Sequence, residues 1–81
     1  SFAAWSADSQ KIVYTSEREG RLQLFQYDFG TEKETQLTKS GDDFSPVYSP
    51  DGKTIAFIRN ARSLMIYDTN SKQERELARF F

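Results

Sequence analysis

The sequence predicts an all-β fold, a β-propeller fragment of two four-stranded antiparallel blades. Three observations lead to this fold. The 81 residues contain one motif twice, aromatic residues reach 15% of the chain, and turn-forming residues separate short apolar runs. Aromatic and β-branched residues fit the pleated surface of a sheet. A repeat of about 40 to 45 residues with four strands in each copy is typical of propeller blades.

The repeat needs two offsets to align along its whole length. An offset of 43 residues matches the first half of each copy: Trp5 with Tyr48, Asp8 with Asp51, Ile12 with Ile55 and Tyr14 with Phe57. An offset of 40 residues matches the second half: Leu24 with Leu64, Tyr27 with Tyr67, Glu34 with Glu74 and Leu37 with Leu77. The first copy therefore carries three extra residues between Ser16 and Leu24, in a turn that tolerates them at small entropic cost. We expect one blade over residues 1–41 and the other over residues 42–81.

Each copy divides into four short strands, here called A to D, which turn residues separate. They are predicted at residues 3–6, 11–16, 22–28 and 35–38 in the first copy, and at residues 47–49, 54–59, 64–68 and 75–78 in the second. The runs IAFI and LMIY, in strands B and C of the second copy, are apolar at every position. Continuous apolarity indicates strands that are covered on both faces, as in a blade packed between two others.

The turn between strands A and B reads SPDG in the second copy. Pro50 fixes the φ angle that the second position of a type I turn requires, Asp51 can bond the local backbone, and Gly52 suits the left-handed position that follows. The first copy has Ser9 after Asp8, so we expect either slight strain at Ser9 or a different loop in this copy. Carboxylates that recur at one turn of each repeat favour a structural role for Asp8 and Asp51 over metal binding or acid–base catalysis.

The turn between strands C and D opens with an aspartate in both copies, Asp28 and Asp68. Gly30 and Asn70 occupy equivalent positions there, and both residue types tolerate a positive φ. A structural role is again favoured for the two carboxylates.

These turns and strands resemble a known family. The succession SPDGKTIAF, LMIYD and EREL resembles the WD-like propeller repeats of TolB-type proteins, and IVYTSEREGRLQLFQYDFGTEKETQLT resembles the longer form of that repeat. In the longer form the turn between strands B and C usually reads SDRDG, and this chain has glutamate in place of its aspartates. The second copy resembles the shorter form in the propellers of tricorn-type serine peptidases and prolyl-oligopeptidase relatives. Such a repeat is a scaffold, so the resemblance specifies the fold more closely than the activity.

Two functions follow from the resemblance. The first is a non-catalytic propeller segment that binds a protein or peptide as a scaffold within a larger, TolB-like protein, with a bacterial and periplasmic setting. The alternative is the substrate-filtering propeller domain of a tricorn-type or prolyl-oligopeptidase-like serine peptidase, whose catalytic domain would lie outside this chain.

Composition limits the chemistry of the chain itself. Histidine and cysteine are both absent, which excludes disulfides, thiolate metal sites, a cysteine nucleophile and the usual base of a serine triad. The chain has neither a GxSxG motif nor a phosphate-binding loop, so we expect no enzyme activity and no cofactor or metal. A net charge of −1, from 11 basic and 12 acidic side chains, disfavours a nucleic-acid partner. The apolar runs are too short to insert into a membrane.

One face of the blades is a candidate surface for a protein or peptide partner. Because antiparallel strands alternate in direction, the D–A and B–C loops are expected to share a face. The candidate residues lie in those loops: Arg18, Asp42, Asp43, Phe44, Arg59 and Arg62. Mixed charge around an aromatic ring is typical of an interface rim, and an ordinary solvated loop face is the alternative. Asp42 and Asp43 are adjacent and lack the spaced oxygen ligands of a calcium loop.

Two blades cannot close a ring. The chain starts at strand A and stops just after strand D, which suggests a fragment cut between blades. The remaining blades are therefore expected in the same chain or through self-association. The outward blade faces are expected to carry apolar side chains for a neighbour: Ile12, Tyr14, Leu24 and Phe25 in the first blade, and Phe57, Met65 and Ile66 in the second.

Overall fold

The computed structural model describes residues 2–80, and all helical or extended structure in that range is β-strand. The first sheet contains β1 (Ala3–Trp5), β2 (Lys11–Arg18), β3 (Arg21–Asp28) and β4 (Lys33–Gln36). The second contains β5 (Asp43–Tyr48), β6 (Thr54–Arg59), β7 (Ser63–Asp68) and β8 (Glu74–Arg79). In both sheets each strand pairs antiparallel with the next one along the chain, so the predicted pair of four-stranded blades is confirmed. The blade limits at residues 41 and 42 stay a prediction.

No helix in residues 2–80 has the length and apolarity that a membrane span needs.

The largest departure from the predicted strands lies at β5, which begins at Asp43 where strand A was expected to begin at Val47. A bulge between Phe44 and Val47 explains the difference, because pairing with β6 resumes on its far side. Ser45 takes a φ of 56° within this bulge, next to Pro46. Proline is tolerated at bulges and edge strands, so Pro46 interrupts the ladder without ending the strand.

The three extra residues of the first blade lengthen its B–C hairpin, as predicted. Thr15 pairs with Leu24, and their counterparts Ile58 and Leu64 pair in the same way in the second blade. Beyond that pair, β2 and β3 continue to the Arg18–Arg21 pair before the chain turns.

The hydrophobic core lies between the two blades. Its buried side chains come from one face of each sheet: Val13 and Leu24 from the first blade, and Ile55, Phe57, Met65 and Tyr67 from the second. We call these the packed faces. Directly opposed residues of an antiparallel pair share a face. The remaining, open faces therefore carry Ile12, Tyr14, Phe25 and Tyr27 in the first blade, and Ala56, Ile58, Leu64 and Ile66 in the second.

The expected outward residues are thus partly wrong. Leu24, Phe57 and Met65 belong to the packed faces, because an apolar run does not say which of its two faces meets which neighbour. Phe25 does lie on an open face but is only 3% exposed. The Arg18 guanidinium carbon sits 3.8 Å from its ring centroid, and Tyr14 stacks beside it.

The A–B turns of the two blades have the same backbone geometry. Ser9 donates its N–H to the Ser6 carbonyl at 3.0 Å, and Gly52 donates to the Ser49 carbonyl at 2.9 Å. Ser9 has a φ of 61° and Gly52 a φ of 74°. The left-handed conformation at Ser9 is the strain that the missing glycine predicted.

The C–D turns also match each other, but their left-handed residue is not Gly30 or Asn70. It lies two residues later, at Glu32 with a φ of 59° and Lys72 with a φ of 64°. The amides of Gly30 and Asn70 are instead bonded to the Asp28 and Asp68 carboxylates, at 2.8 and 2.9 Å.

Candidate functional site

The D–A connection and the two B–C turns meet on one face, which we call the loop face. Leu22 donates its backbone N–H to Asp42 Oδ1 at 3.0 Å. Asp42 in turn donates its own N–H to Asn60 Oδ1 at 3.0 Å and accepts the Asn60 N–H at 2.8 Å. Asp42 therefore joins the B–C turn of each blade to the connection between the blades.

Asp43 and Arg59 do not lie on this face as exposed side chains. Asp43 is part of β5 and is 0% exposed. Arg59 Nε lies 2.8 Å from Asp43 Oδ1, and Arg59 Nη2 lies 3.0 Å from Oδ2, so the pair is bidentate. Arg59 Nη1 also lies 2.8 Å from Glu74 Oε1. The Asp43 bonds are the main cause that raises the pKa of Arg59, and they commit both side chains to the interior.

Phe44 is likewise a strand residue rather than a loop residue. It pairs with Ile58 in the ladder between β5 and β6, and it is half-buried. A loop was expected here because strand A was predicted to begin at Val47; the bulge lets the strand begin four residues earlier. Arg62 and Asp42, by contrast, lie in connections and are exposed.

Arg18 takes part in a second ion-pair cluster, on the first blade. Its Nη2 atom donates to both Glu34 oxygens at 3.1 and 3.2 Å, while its Nε donates to Ser16 Oγ at 3.2 Å. The Tyr14 hydroxyl also donates to Glu34. The bond from Tyr14, followed by those from Arg18, holds the pKa of Glu34 below its usual value. Burial raises the pKa of Tyr14 to about 12, and the hydrogen bond to Glu34 adds to this effect.

The adjacent carboxylates Asp42 and Asp43 serve separate contacts rather than one centre. Asp42 accepts from Leu22, whereas Asp43 binds Arg59. Across residues 2–80 the structure places no group of three or more acidic side chains where a metal ion could be held.

A cleft of about 490 Å³ opens on the opposite side of the blades, where the two A–B turns face each other. Its lining is mostly polar: Ser6, Asp8, Lys11, Gln26, Tyr48, Asp51, Thr69 and Asn70, with Ala7, Pro50 and Gly52. Tyr48 spans it and donates its hydroxyl to Gln26 Oε1 at 2.6 Å. Burial, with smaller contributions from Asp8 and Asp28, raises the pKa of Tyr48 to about 12. The sequence did not predict this cleft, although both turns that border it carry the same Ser-x-Asp pattern.

Asp8, Pro50, Asp51 and Gly52 all lie in these turns, as the sequence placed them. The carboxylate of Asp8 accepts the Ser6 hydroxyl at 2.7 Å and the Gln10 N–H at 3.0 Å. Asp51 accepts the Ser49 hydroxyl at 2.6 Å and the Lys53 N–H at 3.0 Å. These bonds hold the turns closed.

Sheet order, strand register and the core between the sheets define the chain as a two-blade segment of a β-propeller. Its repeats are of the TolB type. The Tol-Pal system protein TolB of Anaeromyxobacter dehalogenans (strain 2CP-1 / ATCC BAA-258) is 43% identical over 77 residues, which cover 91% of this chain and 18% of the relative. The solved structure of TolB from Acinetobacter baumannii superposes with a TM-score of 0.80 at 29% identity, covering 95% of this chain and 21% of that one. The chain thus spans about a fifth of the length of these relatives.

The similarity extends to enzymes. Oligogalacturonate lyase of Dickeya dadantii (strain 3937) is 31% identical over 75 residues, which cover 90% of this chain and 19% of the relative. Dipeptidyl peptidase 4 of Porphyromonas gingivalis superposes with a TM-score of 0.70 at 22% identity, over 94% of this chain and 12% of that one, a likeness that shows the fold alone. No family model matches the chain.

Proposed function

We propose that the chain is the partner-binding part of a larger TolB-like propeller and acts as a non-catalytic scaffold for a protein or peptide. The observation that carries the proposal is the loop face, where Asp42 fastens both B–C turns to the connection between the blades. A surface held in one conformation before binding loses less conformational entropy when a partner docks.

The contacts of this face are its exposed side chains. We propose exposed Arg18, Asp42 and Arg62 as the charged groups, and we propose Phe44, which is half-buried in β5 next to the D–A connection, as an apolar group at the edge of this face. Charges of both signs around an apolar centre give orientation and specificity to a protein interface. Asp43 and Arg59 contribute indirectly, since their buried pair fixes the start of β5 beneath the loop face.

The relatives suggest the setting. TolB relatives carry the name of the Tol-Pal system, so we propose a bacterial protein in the periplasm with the Pal protein as the first partner to test. The absence of histidine and cysteine supports a binding role over a catalytic one for these 81 residues.

The experiment measures binding of purified Pal from Anaeromyxobacter dehalogenans to this protein by isothermal titration calorimetry. We expect Arg62→Glu to weaken binding about tenfold, because it reverses a charge on the loop face. Lys53→Glu is the matched control, since Lys53 is exposed and lies in the A–B turn on the opposite side. Equal effects of the two variants, or no binding of the unchanged protein, would contradict the proposal.

The second candidate is a propeller that filters substrates for a catalytic domain outside this chain. The fold likeness to dipeptidyl peptidase 4 favours it, and the lyase relative gives it a carbohydrate version. The full-length protein that contains this sequence would then hydrolyse peptides or cleave oligogalacturonate. Turnover of either substrate by that protein, together with Pal binding that Arg62→Glu leaves unchanged, would favour this candidate over the scaffold.

A further inference from the structure

The B–C turns of the two blades share positive φ angles at two central residues but differ in what those residues are. In the first blade they are Glu19, with a φ of 55°, and Gly20, with a φ of 79°. In the second blade they are Asn60 and Ala61, with φ angles of 57° and 54°. Two consecutive positive φ angles are the signature of a type I′ turn, whose second central position favours glycine. The second turn therefore strains Ala61, whereas the first does not strain Gly20.

Three hydrogen bonds hold the strained turn closed. Arg62 donates its N–H to the Arg59 carbonyl at 3.0 Å across the turn. Asn60 donates its N–H to the Asp42 carbonyl at 2.8 Å, and Asp42 donates its own N–H to Asn60 Oδ1 at 3.0 Å. The last two bonds form a closed ring between the turn and the D–A connection, which we call the clasp. A strained backbone persists only where such surrounding contacts fix it.

The D–A connection passes close enough to form the clasp because Gly41 has no side chain. A Cβ atom at Gly41 would lie 3.0 Å from both Arg59 Cγ and Asn60 Oδ1, which is tighter than an ordinary van der Waals contact. The Asp42 carboxylate then extends the clasp to the other blade, where its Oδ1 atom accepts the Leu22 N–H at 3.0 Å. Asn60 is therefore linked through Asp42 to β3 of the first blade.

Arg62, a proposed contact of the loop face, directly follows the strained turn. Because Arg59 pairs with Ser63, Arg62 is an extra residue outside the ladder between β6 and β7, and its side chain is exposed. Its carbonyl accepts the Phe80 N–H at 2.7 Å, so the backbone is also held on the side away from the clasp. The direction of the Arg62 side chain therefore depends on the conformation of the turn.

We propose that Asn60 is a positioning residue of the loop face, which keeps the strained turn closed and thereby directs Arg62 toward a partner. Glycine at the second central position, as in the first blade, would relieve the strain at Ala61, so the fold does not need it. Strain that surrounding contacts maintain is a pointer to function. The purpose of the clasp rests on the proposed partner binding, while the clasp itself is a property of the free protein.

Amide hydrogen exchange of the free protein, followed residue by residue by NMR, tests the clasp. Asn60→Gly keeps the left-handed backbone but removes the Oδ1 acceptor. We expect the Leu22 amide, which keeps its own acceptor on the other blade, to exchange about tenfold faster because the Asp42 carboxylate is no longer held. The Gly52 amide, on the opposite side, should keep its rate, which separates this loss from global unfolding.

Asn60→Asp is the matched variant, since it retains an oxygen that can accept the Asp42 N–H and should leave the Leu22 amide protected. Leu22 exchange in Asn60→Gly that equals that of the unchanged protein would overturn the proposal. Leu22 exchange that speeds up equally in both variants would do the same.

Differential scanning calorimetry tests the strain. Ala61→Gly should raise the melting temperature, and Gly20→Ala at the matched position should lower it, since nothing lies within 4 Å of that added Cβ and only the backbone is strained. In the Asn60→Gly background the gain from Ala61→Gly should be smaller, because an unclasped turn relieves its strain by changing conformation. An equal gain in both backgrounds would show that Asn60 does not maintain the strain, and would overturn the proposal.

Isothermal titration calorimetry with purified Pal from Anaeromyxobacter dehalogenans tests the positioning. Asn60→Gly should weaken binding about fivefold, with the loss in the binding entropy, because Arg62 makes the same contact from a less ordered turn. Unchanged affinity together with faster Leu22 exchange would overturn the positioning role and leave partner binding intact. If the unchanged protein does not bind Pal, the proposed function and the positioning role both fail, while the exchange rates still decide whether the clasp exists.

Discussion

Strand B ends on an arginine in both blades, but the two arginines make different contacts. At the end of strand B, Arg59 of the second blade binds Asp43 and Glu74 and is 13% exposed in its side chain. Arg18 of the first blade binds Glu34 and covers Phe25, with 45% of its side chain exposed. Both arginines reach the corresponding glutamate of strand D, since Glu34 and Glu74 are repeat counterparts.

The difference follows from what covers each arginine. The packed face of the second blade lies against the first blade, so Arg59 and Asp43 lose water and depend on each other. The equivalent face of the first blade is open, and there Arg18 itself covers the aromatic ring. The arginine that ends strand B therefore belongs to an interior ion pair in the second blade and covers an apolar surface in the first, although the repeat aligns Arg59 with Ser16.

The largest expected effect comes from the ring beneath the interior arginine. Phe57→Ala should lower the free energy of unfolding by about 3–5 kcal/mol, because Phe57 is 1% exposed and its removal leaves a cavity between the blades. Urea denaturation at fixed protein concentration measures the change. Tyr14→Ala at the repeat counterpart is the control and should cost clearly less, since Tyr14 is only half-buried. Equal losses would mean that the open face is as tightly covered as the packed one.

The second prediction separates the two ion pairs. Asp43→Ala should cost about 3 kcal/mol, because it leaves Arg59 in the interior without its bidentate partner. Thermal or chemical denaturation measures the loss. Glu34→Ala, on the exposed pair, should produce no resolvable change, since water replaces the lost contact. A loss at Glu34 that matched the loss at Asp43 would refute the contrast drawn between the blades.

The sequence predicted the sheets well because repeats supply an internal check. The same turn and strand pattern occurs twice, so the order of strands, the long B–C hairpin and the strained Ser9 could all be deduced. The candidate site was harder. Asp43 was placed in a loop because strand A was predicted to begin at Val47, and nothing in the pattern shows that a bulge at Pro46 extends the ladder back to Asp43. The choice of packed face was equally hidden, since Leu24 and Phe25 are neighbours of similar apolarity on opposite faces.

The third prediction concerns the A–B turns, which look alike in both blades. Gly52→Val should lower stability by about 1–2 kcal/mol, because a β-branched residue is forced into the left-handed conformation at a φ of 74°. Nothing lies within 4 Å of the added Cβ position, so the cost is backbone strain and not a clash. Denaturation with and without the substitution measures it. A neutral result would show that the turn rearranges to another type.

The reverse change in the first blade should help. Ser9→Gly is expected to raise stability by about 0.5 kcal/mol, because relief of the strain at a φ of 61° exceeds the extra entropy of glycine in the unfolded chain. Differential scanning calorimetry would register a small upward shift of the melting temperature. The control is Ser71→Gly, an exposed turn residue that is not among those with positive φ, which should give no gain. A decrease at Ser9 would mean that the serine contributes more than its backbone strain costs.

The smallest expected effect is the pH dependence of the same turns. The hydrogen bond from the Ser6 hydroxyl and, to a smaller extent, the one from the Gln10 N–H hold the pKa of Asp8 below its ordinary value. The hydrogen bonds from the Ser49 hydroxyl and, to a smaller extent, from the Lys53 N–H do the same for Asp51. Because the folded pKa lies below the unfolded one, each carboxylate contributes stability above the unfolded value of 3.8, and this contribution is lost as pH falls through the folded value.

Removing either hydroxyl tests whether the two turns are equivalent. Ser6→Ala should bring the pKa of Asp8 closer to its ordinary value, so the variant should lie below the unchanged protein in stability at pH 6 and approach it at the acidic end of a urea-denaturation series. Ser49→Ala should behave in the same way at Asp51. Each serine also accepts a backbone N–H, from Lys11 at 3.0 Å and from Thr54 at 3.1 Å, and that bond does not titrate. If the difference in stability between variant and unchanged protein stays constant with pH, the serine acts through this backbone bond. If the difference disappears at low pH for only one of the two turns, the turns are not equivalent.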